Sequence, residues 1–229
     1  MESKSANFRK QMRRDRRLLE QYGAAFKLVT KQQELQAGIA DFSALHRARW
    51  SARGGSSVLT PKVEKMLAEV GTHHIADGRF RLWLLQSGHQ TIAARIMVAA
   101  GGEVSAWNSG FDQAWADQHP SLLTLLAAIE HAWEVGDDRM DLGGGGRAYK
   151  YRFADAEDLL RWLTIVPRGP RYPLTRLSLV PCHIHRSIST RLPVPVKERL
   201  RSLNKLPIAA NRRPHNAPNN RHGIIKWRR

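Results

Sequence analysis

The sequence of 229 residues contains a single cysteine, Cys182, so the chain cannot form a disulfide within itself. It also lacks the Cys/His spacing that binds zinc, and we predict no metal site. No apolar run approaches the roughly 18–20 residues needed to span a bilayer, because Arg95 interrupts the most apolar stretch. The opening residues MESKSANFRK are polar and basic, and no apolar signal-peptide core follows them. We therefore expect a cytoplasmic protein in a reducing compartment.

Acidic residues are almost absent from the last part of the chain. Residues 168–229 contain 15 Lys/Arg and one acid, Glu198, for a net charge of +14, and residues 1–22 contain seven basic and three acidic residues. Residues 23–167 contain 15 basic and 16 acidic residues, so they are close to neutral. Seven of the 11 prolines lie between residues 167 and 207. We predict a basic linking helix at 1–22, a folded domain at 23–167 and a basic, Pro-rich, partly disordered tail at 168–229.

A basic tail of this kind binds nucleic acid or anionic lipid, or it is solvated surface without a partner. No helix-turn-helix, RNA-recognition or zinc pattern accompanies it. The segment PVKERLRSLNKLP has the composition of a basic amphipathic segment that docks on an acidic membrane. A non-catalytic protein that binds polyanions or membrane surfaces through its tail is therefore the alternative to an enzyme.

Hydrophobic spacing predicts three helices in the first part of the chain. The stretch NFRKQMRRDRRLLE (7–20) places Phe8, Met12 and Leu19 on one side of a basic helix, and a short β run, AFKLVT, follows it. The stretch TPKVEKMLAEVG begins a helix with Thr60 as its cap and Pro61 in its first position. Between them, KQQELQAGIADFSALHRARWSARGG predicts a helix with a single stripe of buried positions. This stripe consists of Leu35, Ile39, Phe42, His46 and Trp50.

The pattern then changes to strands. RFRLWLLQ (79–86), TIAARIMVAA (91–100) and EVSAWNSGF (103–111) predict an antiparallel meander, with Gly101 and Gly102 in a tight hairpin. A helix over HPSLLTLLAAIEHAWEVGD and a returning strand RMDL (139–142) follow, then a helix AEDLLRW and a strand LTIVP. The predicted core positions of the long helix are Leu122, Leu126, Ile129 and Trp133. This order predicts an α/β fold with a mixed, mostly antiparallel sheet flanked by helices.

The stretch DLGGGGRAYKYRF (141–153) runs from a strand end through four glycines into a basic-aromatic cluster. It lacks the Gly-Lys-Ser/Thr ending of a nucleotide-binding loop, so we do not expect ATP binding. An enlarged turn at the carboxyl end of a strand is where α/β sheets place ligands. A flexible surface turn and the lip of a substrate site are both consistent with the residues.

Six of these stretches, in the same order, resemble the cellulose-biosynthesis-type (CelD-like) acetyltransferases of the GNAT superfamily, which are related to the Fem-type aminoacyltransferases. They are NFRKQMRRDRRLLE, LHRARWSARGG, RLWLLQSG, IAARIMVAAGG, NSGFDQAWADQHPSLLTLLAAIEHAWEVG and DLGGGGRAYKYRF. The resemblance covers residues 5 to about 165. It implies a GNAT-like fold and an N-acyltransferase that uses acetyl-CoA to modify an amine of a sugar, an amino acid or a cell-envelope precursor. Because such relatives are longer, it also implies a second acyltransferase-like half or a homodimer as partner.

The resemblance also implies where the site residues lie. Two central strands should part near WNSGFD (107–112), and the helix start at His119–Leu123 should bind the donor's pyrophosphate. The family's glycine and Tyr-Lys pair correspond to Gly143, Tyr149 and Lys150. The predicted catalytic residues are Asp112, as general base, and Tyr149. The predicted donor-binding residues are Ser109, Gly110, His119, Ser121 and Leu122. The predicted acceptor-binding residues are His46, Arg49, Trp50, Lys150 and Arg152.

Each of these assignments has a structural alternative. Asp112 follows a strand and would serve as a cap or turn residue, and His-Pro-Ser (119–121) is an ordinary helix start. His46 and Arg49 would simply end an amphipathic helix, and Lys150 and Arg152 would pair with the acids at 155, 157 and 158. Residues 113–123 contain no glycine, which departs from the pyrophosphate loop of typical GNAT enzymes.

Overall fold

The computed structural model describes residues 4–51, 55–144, 147–159, 165–166, 168–170, 172–177 and 221–227. Five helices and seven strands form in its main body. The helices are α1 (Ala6–Gln21), α2 (Gln32–Ser51), α3 (Pro61–His74), α4 (Pro120–Glu134) and α5 (Ala148–Phe153), with a 3-10 helix at Gln113–Gln118. The strands are β1 (Ala24–Val29), β2 (Phe80–Ser87), β3 (Gln90–Ala100), β4 (Glu103–Phe111), β5 (Arg139–Gly144), β6 (Ala156–Leu159) and β7 (Arg221–Lys226).

The strands form one sheet in the order β1-β2-β3-β4-β5-β7-β6. Antiparallel pairs join β1 through β4, as the meander pattern predicts, and Gly101 and Gly102 take positive φ angles of 58° and 77° in the tight turn between β3 and β4. Strands β4 and β5 pair in parallel, because α4 carries the chain back across the sheet between them. The predicted α/β fold with a mixed, mostly antiparallel sheet is confirmed.

Strand β2 explains why the sheet is covered on both faces. Its apolar residues do not alternate with polar ones; they alternate between two cores, because successive side chains point to opposite faces. Trp83 and Leu85 pack in a cluster with α1 and α4, whereas Leu82 and Leu84 pack in a second cluster with α2 and α3. The core is therefore two layers of side chains, one on each face of the sheet.

The predicted helix starts are present. Ser5 caps α1 by accepting from the Phe8 N–H, and Thr60 caps α3 by accepting from the Val63 N–H, with Pro61 in the first position. The buried side of α1 contains Phe8, Met12 and Leu19, and also Asp15. In α2 the predicted stripe is buried from Leu35 to His46, and Trp50 is partly exposed.

The buried face of α4 differs from the prediction. The side chains that face the core include Leu123, Leu125 and Leu126 and three alanines, whereas Trp133 is 49% exposed. Alanines let the helix lie close to the sheet, and of the four large residues predicted for the core only Leu126 is buried. Leu122 and Ile129 are partly buried and pack against the core, and Leu122 also lines a cavity.

Towards the end of the chain, two strands occur that the sequence analysis did not predict. Residues 156–159 form strand β6, not the start of a helix, because they pair next to β7 from far along the chain. Residues 221–226, at the end of the segment predicted to be a basic, partly disordered tail, form strand β7, which pairs with β5 and buries Ile224 and Ile225. Residues 178–220 lie outside the described residues, as do residues 163, 164 and 167 of the predicted strand LTIVP; residues 165 and 166 are described and are not in a strand.

The chain divides into two compact units, one of residues 1–158 with 221–229 and one of residues 159–220. Every residue of the site considered below belongs to the first unit. None of the helices formed by the described residues is long and apolar enough to cross a membrane.

Candidate functional site

Strands β4 and β5 diverge in the middle of the sheet. They pair only from Glu103–Arg139 to Ser105–Asp141. Beyond this point β4 contains a bulge, where Ala106 and Asn108 pair with consecutive residues of β3 and the residue between them does not. On β5, Gly143 has a φ of +78° and donates its N–H to Asp141 Oδ1. The parting near 107–112 that the resemblance implies is therefore present.

A cavity of about 360 Å³ occupies this gap. Its walls come from both faces of the sheet: the end of α2 with Arg49 and Trp50 on one side, and the start of α4 with His119 and Ser121 on the other. The diverging strands supply Trp107 and neighbouring residues of β4, and Gly143 and Gly144 at the end of β5.

The cavity is strongly cationic. Arg49, Arg95, Arg147 and Lys150 line it, and no Asp or Glu occurs among the described lining residues. Three aromatic side chains from α2 and β4 and the phenol of Tyr149 supply the apolar surface. Such a wall suits an anionic ligand with apolar parts.

Arg95 is the most unusual of these cations. It lies on β3 and is 4% exposed, and its Nη2 donates to the backbone oxygen and to Oγ of Ser121, at 3.0 and 3.2 Å. Its buried Nε has no hydrogen-bond partner among the described residues. Burial lowers the pKa of Arg95 to about 10. An unsatisfied buried cation costs stability, and such a cost is common where a ligand supplies the missing partner.

Lys150 is also buried, but its ammonium group is satisfied by the protein. Nζ donates to the backbone oxygens of Gly143 and Gly144, at 2.9 and 2.6 Å. Burial, followed by the repulsion of Arg147, lowers the pKa of Lys150 to about 8. Lys150 therefore holds the first two of the four glycines at the cavity wall; the other two lie outside the described residues.

His119 joins the 3-10 helix to α4 and lines the cavity. Its φ of +50° is the only positive value among the described non-glycine residues, and its side chain does not cap α4. The ring Nδ1 lies 3.0 Å from Oδ2 of Asp15, a fully buried carboxylate on α1. The resemblance pointed to His119 for donor binding, but nothing in the sequence reasoning connected it with Asp15.

The start of α4 offers a reduced set of backbone donors. Pro120 has no N–H, and the N–H groups of Leu122 and Leu123 both donate to the His119 oxygen. An anion at this helix start would be held mainly by the Ser121 N–H and by the surrounding side chains. Arg95, which donates a hydrogen bond to the Ser121 oxygen, would be the cation beside it. The positive charge of the cavity suits the phosphates of acetyl-CoA. The set of free backbone N–H groups expected at this helix start to bind them is incomplete.

Two of the predicted site residues, Asp112 and His46, make contacts outside the cavity. The Asp112 carboxylate caps the 3-10 helix by accepting from the Ala114 N–H at 3.0 Å, and it also accepts from Gln90 at 3.0 Å. His46 is 1% exposed, and its Nε2 lies 2.8 Å from Ser56 Oγ. Burial lowers the pKa of His46, with the nearby Ser109 backbone opposing that effect. Neither residue lines the cavity.

Gly110 and Arg152 also lie outside the cavity lining. A Cβ on Gly110 would come within 2.6 Å of the His46 backbone nitrogen, so this glycine lets β4 pack directly on α2. Arg152 stacks on Phe8 at 4.3 Å from the ring centroid and donates to Gln11 Oε1. It therefore fastens α5 to α1.

The fold does bring eight of the predicted site residues together. These are Arg49, Trp50, Ser109, His119, Ser121, Leu122, Tyr149 and Lys150. The sequence analysis did not predict Arg95 or Asp15 as site residues, although each is a charged residue within an apolar pattern. Arg95 is a charge inside a buried strand, and Asp15 is an acid on the apolar side of a basic helix.

Comparison with known protein families gives a match over most of the described body. The family described as "Acetyltransferase (GNAT) domain" matches residues 6–151, from the start of α1 into α5. No curated protein matches the chain.

Several solved structures are similar to the chain at low sequence identity. An aminoglycoside acetyltransferase from an uncultured soil metagenomic sample, in complex with sisomicin, is 9% identical, with a TM-score of 0.48 and coverage of 63% of this chain and 97% of that one. A predicted acetyltransferase with acetyl-CoA from Clostridium acetobutylicum is 12% identical, with a TM-score of 0.48 and coverage of 62% and 96%. The ribosomal-protein-S18-alanine N-acetyltransferase from Escherichia coli is 14% identical, with a TM-score of 0.41 and coverage of 60% and 80%.

Proposed function

The chain belongs to the acetyltransferase (GNAT) domain family, and we propose that it transfers the acetyl group of acetyl-CoA to an amine in the cavity between β4 and β5. The acceptor amine belongs to a sugar, an amino acid or a cell-envelope precursor, and the subfamily is the CelD-like one. Pairing with a second acyltransferase-like half or a second copy, and a cytoplasmic location, are parts of this proposal.

The buried, incompletely satisfied Arg95 is the observation that carries the proposal. A cation that is 4% exposed and whose Nε lacks a partner is costly in a purely structural role. A bound anion beside Ser121 would complete its hydrogen bonds. The phosphates of acetyl-CoA would supply this anion, and Arg49 on the α2 side would be left for the acceptor.

Acetyl-CoA supplies a thioester, whose carbonyl carbon accepts the amine and whose sulfur leaves. The polar backbone groups of β4 beyond Ser105 have no partner on β5, so they would hold the amide groups of an extended donor arm. Tyr149 lines the cavity with its phenol and would protonate the leaving sulfur. Arg49, stacked 5.0 Å from the Phe111 ring centroid, and Trp50 would position the acceptor.

Thermal unfolding with and without acetyl-CoA tests the proposal. Acetyl-CoA at about a hundred times its Kd should stabilise the fold by about 2.7 kcal/mol, which is a melting shift of several degrees. Arg95→Met should abolish most of this shift, because it removes the buried charge. It should not lower the melting temperature of the free protein, because methionine has a side-chain volume similar to that of arginine and carries no charge. Arg152→Met, on the surface near α1, is the matched control and should keep the shift.

A second measurement follows thiol release from acetyl-CoA with glucosamine, L-lysine and other primary amines as acceptors. Acetyl transfer to at least one amine is expected. A well-folded wild-type chain that neither shifts its melting temperature with acetyl-CoA nor releases thiol would contradict the proposal.

A further inference from the structure

We propose that the acceptor carries an oxyanion, a carboxylate or a phosphate, on the same molecule as its amine, and that Arg49 binds this oxyanion at the aromatic wall of the cavity. The inference rests on the proposed function, because it names the class of amine that the site between β4 and β5 accepts. Arg49 is then the residue that determines acceptor specificity, and the donor's phosphates bind at the start of α4.

The cations of the cavity are close enough to repel one another. Burial lowers the pKa of Arg95 to about 10, and the repulsion of Arg49 adds to this effect. The pKa of Lys150 is lowered to about 8, by burial and then by the repulsion of Arg147, with a further contribution from Arg95. A cluster of like charges costs free energy, and anions that bind beside it offset this cost.

Three carboxylates adjoin lining residues of the cavity, and each makes contacts within the protein. Asp15 lies behind His119 and contacts its ring. Asp112 caps the 3-10 helix, and Asp141 accepts from the Gly143 N–H. The lining, as far as the structure describes it, contains four cationic side chains and no carboxylate. A molecule with an ammonium group and no anion would therefore be repelled on entry, whereas one that also carries an oxyanion would be attracted.

Arg49 and Arg95 belong to different walls of the cavity. Arg95 donates to the two oxygens of Ser121 at the start of α4, where the donor's phosphates bind in the proposed function. Arg49 lies in the last turn of α2, on the other side. Because the donor's phosphates belong at the α4 wall, the anion that suits Arg49 belongs to the acceptor.

The surroundings of Arg49 indicate what the rest of the acceptor is like. Its guanidinium lies 5.0 Å from the Phe111 ring centroid, so the ring supports the flat face of the group, whose N–H donors lie in its plane. This planar fork matches two oxygens of a carboxylate or a phosphate. Trp50 and Trp107 also line the cavity, and Phe42 packs behind Trp107 at 6.0 Å between ring centroids. The acceptor class is therefore an anionic amine with an apolar face that packs on tryptophan.

Matched pairs of acceptors test this class by the rate of thiol release from acetyl-CoA. L-Phenylalanine and L-phenylalaninamide differ in one negative charge, as do the sugar phosphate and the free sugar of a second pair, glucosamine 6-phosphate and glucosamine. We expect kcat/KM for the anionic member of at least one pair to exceed that of its neutral partner by about 10 to 100-fold, the usual effect of a hydrogen bond to a charged group. The two pairs distinguish a carboxylate from a phosphate. Since the amine of the amide is the less basic one, a preference for the carboxylate cannot come from the amine.

Arg49→Gln should remove this preference, so that the two members of the pair are used about equally. Its acetyl-CoA melting shift should be retained, because the donor's phosphates bind at the other wall. The ratio of kcat/KM for two acceptors does not depend on the folded fraction, so a loss of stability cannot imitate this result. Arg47→Gln is the matched control and should keep the wild-type ratio, since Arg47 lies in the same helix, pairs with Glu64 and is outside the described lining.

Binding of the acetylated products tests the contact independently of turnover. In the presence of CoA, the acetylated product of the preferred anionic amine should raise the melting temperature of the wild type more than the acetylated product of its neutral partner does. This difference should disappear in Arg49→Gln and remain in Arg47→Gln.

Three outcomes would overturn the inference. They are a wild type that binds acetyl-CoA but uses neither anionic amine better than its neutral partner, an Arg49→Gln variant with the wild-type ratio, and loss of the acetyl-CoA melting shift in Arg49→Gln. The last would mean that Arg49 binds the donor. All three leave acetyl-CoA binding by the wild type intact, whereas a wild type without a melting shift and without thiol release would contradict the proposed function itself.

Discussion

Two buried cations at the cavity, Arg95 and Lys150, show how residues of similar burial differ in role. Lys150 is 6% exposed and satisfied by two glycine oxygens, so its contacts account for its burial. Arg95 is 4% exposed and retains an unsatisfied Nε. Binding of substrate by Lys150, expected from the resemblance, stays a prediction, and the contacts assign the lysine to holding the glycine turn.

The burial of Lys150 predicts a pH-dependent stability. Its pKa in the folded protein is lowered to about 8, whereas an unfolded lysine titrates near 10.4. Between these values the unfolded chain binds more protons, so the free energy of unfolding should rise with pH, by no more than about 3 kcal/mol. Lys150→Met should lack this rise. Urea unfolding at several pH values from 7.5 to 10.5 measures it.

Lys65→Met is the control for this measurement. The Lys65 side chain is 79% exposed, so the variant should keep the wild-type pH dependence. An equal rise in Lys150→Met and the wild type would contradict the lowered pKa.

At the scale of elements, close packing of α2 on β4 positions one wall of the cavity. Gly110 makes this possible, because any Cβ there would collide with the backbone of Leu45 and His46. The same helix ends at Ser51, directly after Arg49 and Trp50. Gly110, predicted to bind the donor, thus has a packing role in the described contacts, and donor binding by it stays a prediction.

Gly110→Ala is expected to destabilise the protein by about 1–3 kcal/mol, as overpacking in a tight contact does. Gly169→Ala should change stability by less than about 0.5 kcal/mol, since no atom lies within 4 Å of the added Cβ. Urea denaturation of both variants makes the comparison. Wild-type stability in Gly110→Ala would mean that α2 is not seated on β4 in this way.

Strand β7 completes the sheet beside β5, although it comes from the last residues of a basic segment. Ile225 is 4% exposed and pairs with Met140, and Trp227 contacts Trp133 edge to face at 6.3 Å between ring centroids. These contacts make the strand part of the folded body.

Ile225→Ala should therefore cost about 2–5 kcal/mol, the usual range for truncating a buried isoleucine. Its exposed neighbour in the same strand provides the control: Lys226→Ala should stay within about 0.5 kcal/mol of the wild type. The two melting curves distinguish a docked strand from a loosely attached one. Similar small effects in both variants would show that the strand is not docked in solution.

For the molecule as a whole, the positive charge of the cavity and that of residues 168–229 have different expected roles. The cavity contains four cationic side chains within the folded body. Most of the excess charge is instead in residues 168–229, where the alternative function of polyanion or membrane binding would reside. Deleting this entire segment would also remove β7, so charge replacement is the better test.

We expect that replacing the basic residues of 178–220 with glutamine leaves the melting temperature and the acetyl-CoA shift unchanged. Those residues are Arg186, Arg191, Lys197, Arg199, Arg201, Lys205, Arg212 and Arg213. If the wild type binds heparin, the variant should bind it more weakly and with a smaller salt dependence, because fewer counterions are released. Heparin affinity chromatography in a salt gradient measures this. Undiminished binding would contradict a role of the segment in polyanion contact.

Local patterns in the sequence determined the helices α1 to α3, the meander β2–β4, the Thr60 cap of α3 and the fold class. They succeeded because periodicity and caps depend on neighbouring residues, and because β2 and β3 are apolar on both faces. The resemblance implied a parting of the central strands, which the structure has, and eight of the residues it pointed to line the cavity, although their roles stay predictions.

Only the tertiary structure decided which polar residues meet. The pair of Asp15 and His119 joins positions 104 residues apart, and β7 inserts beside β5 across more than 70 residues. Likewise, Arg95 becomes a cavity residue because the start of α4 lies over its strand. Contacts of this kind depend on how whole elements pack, which no local pattern encodes.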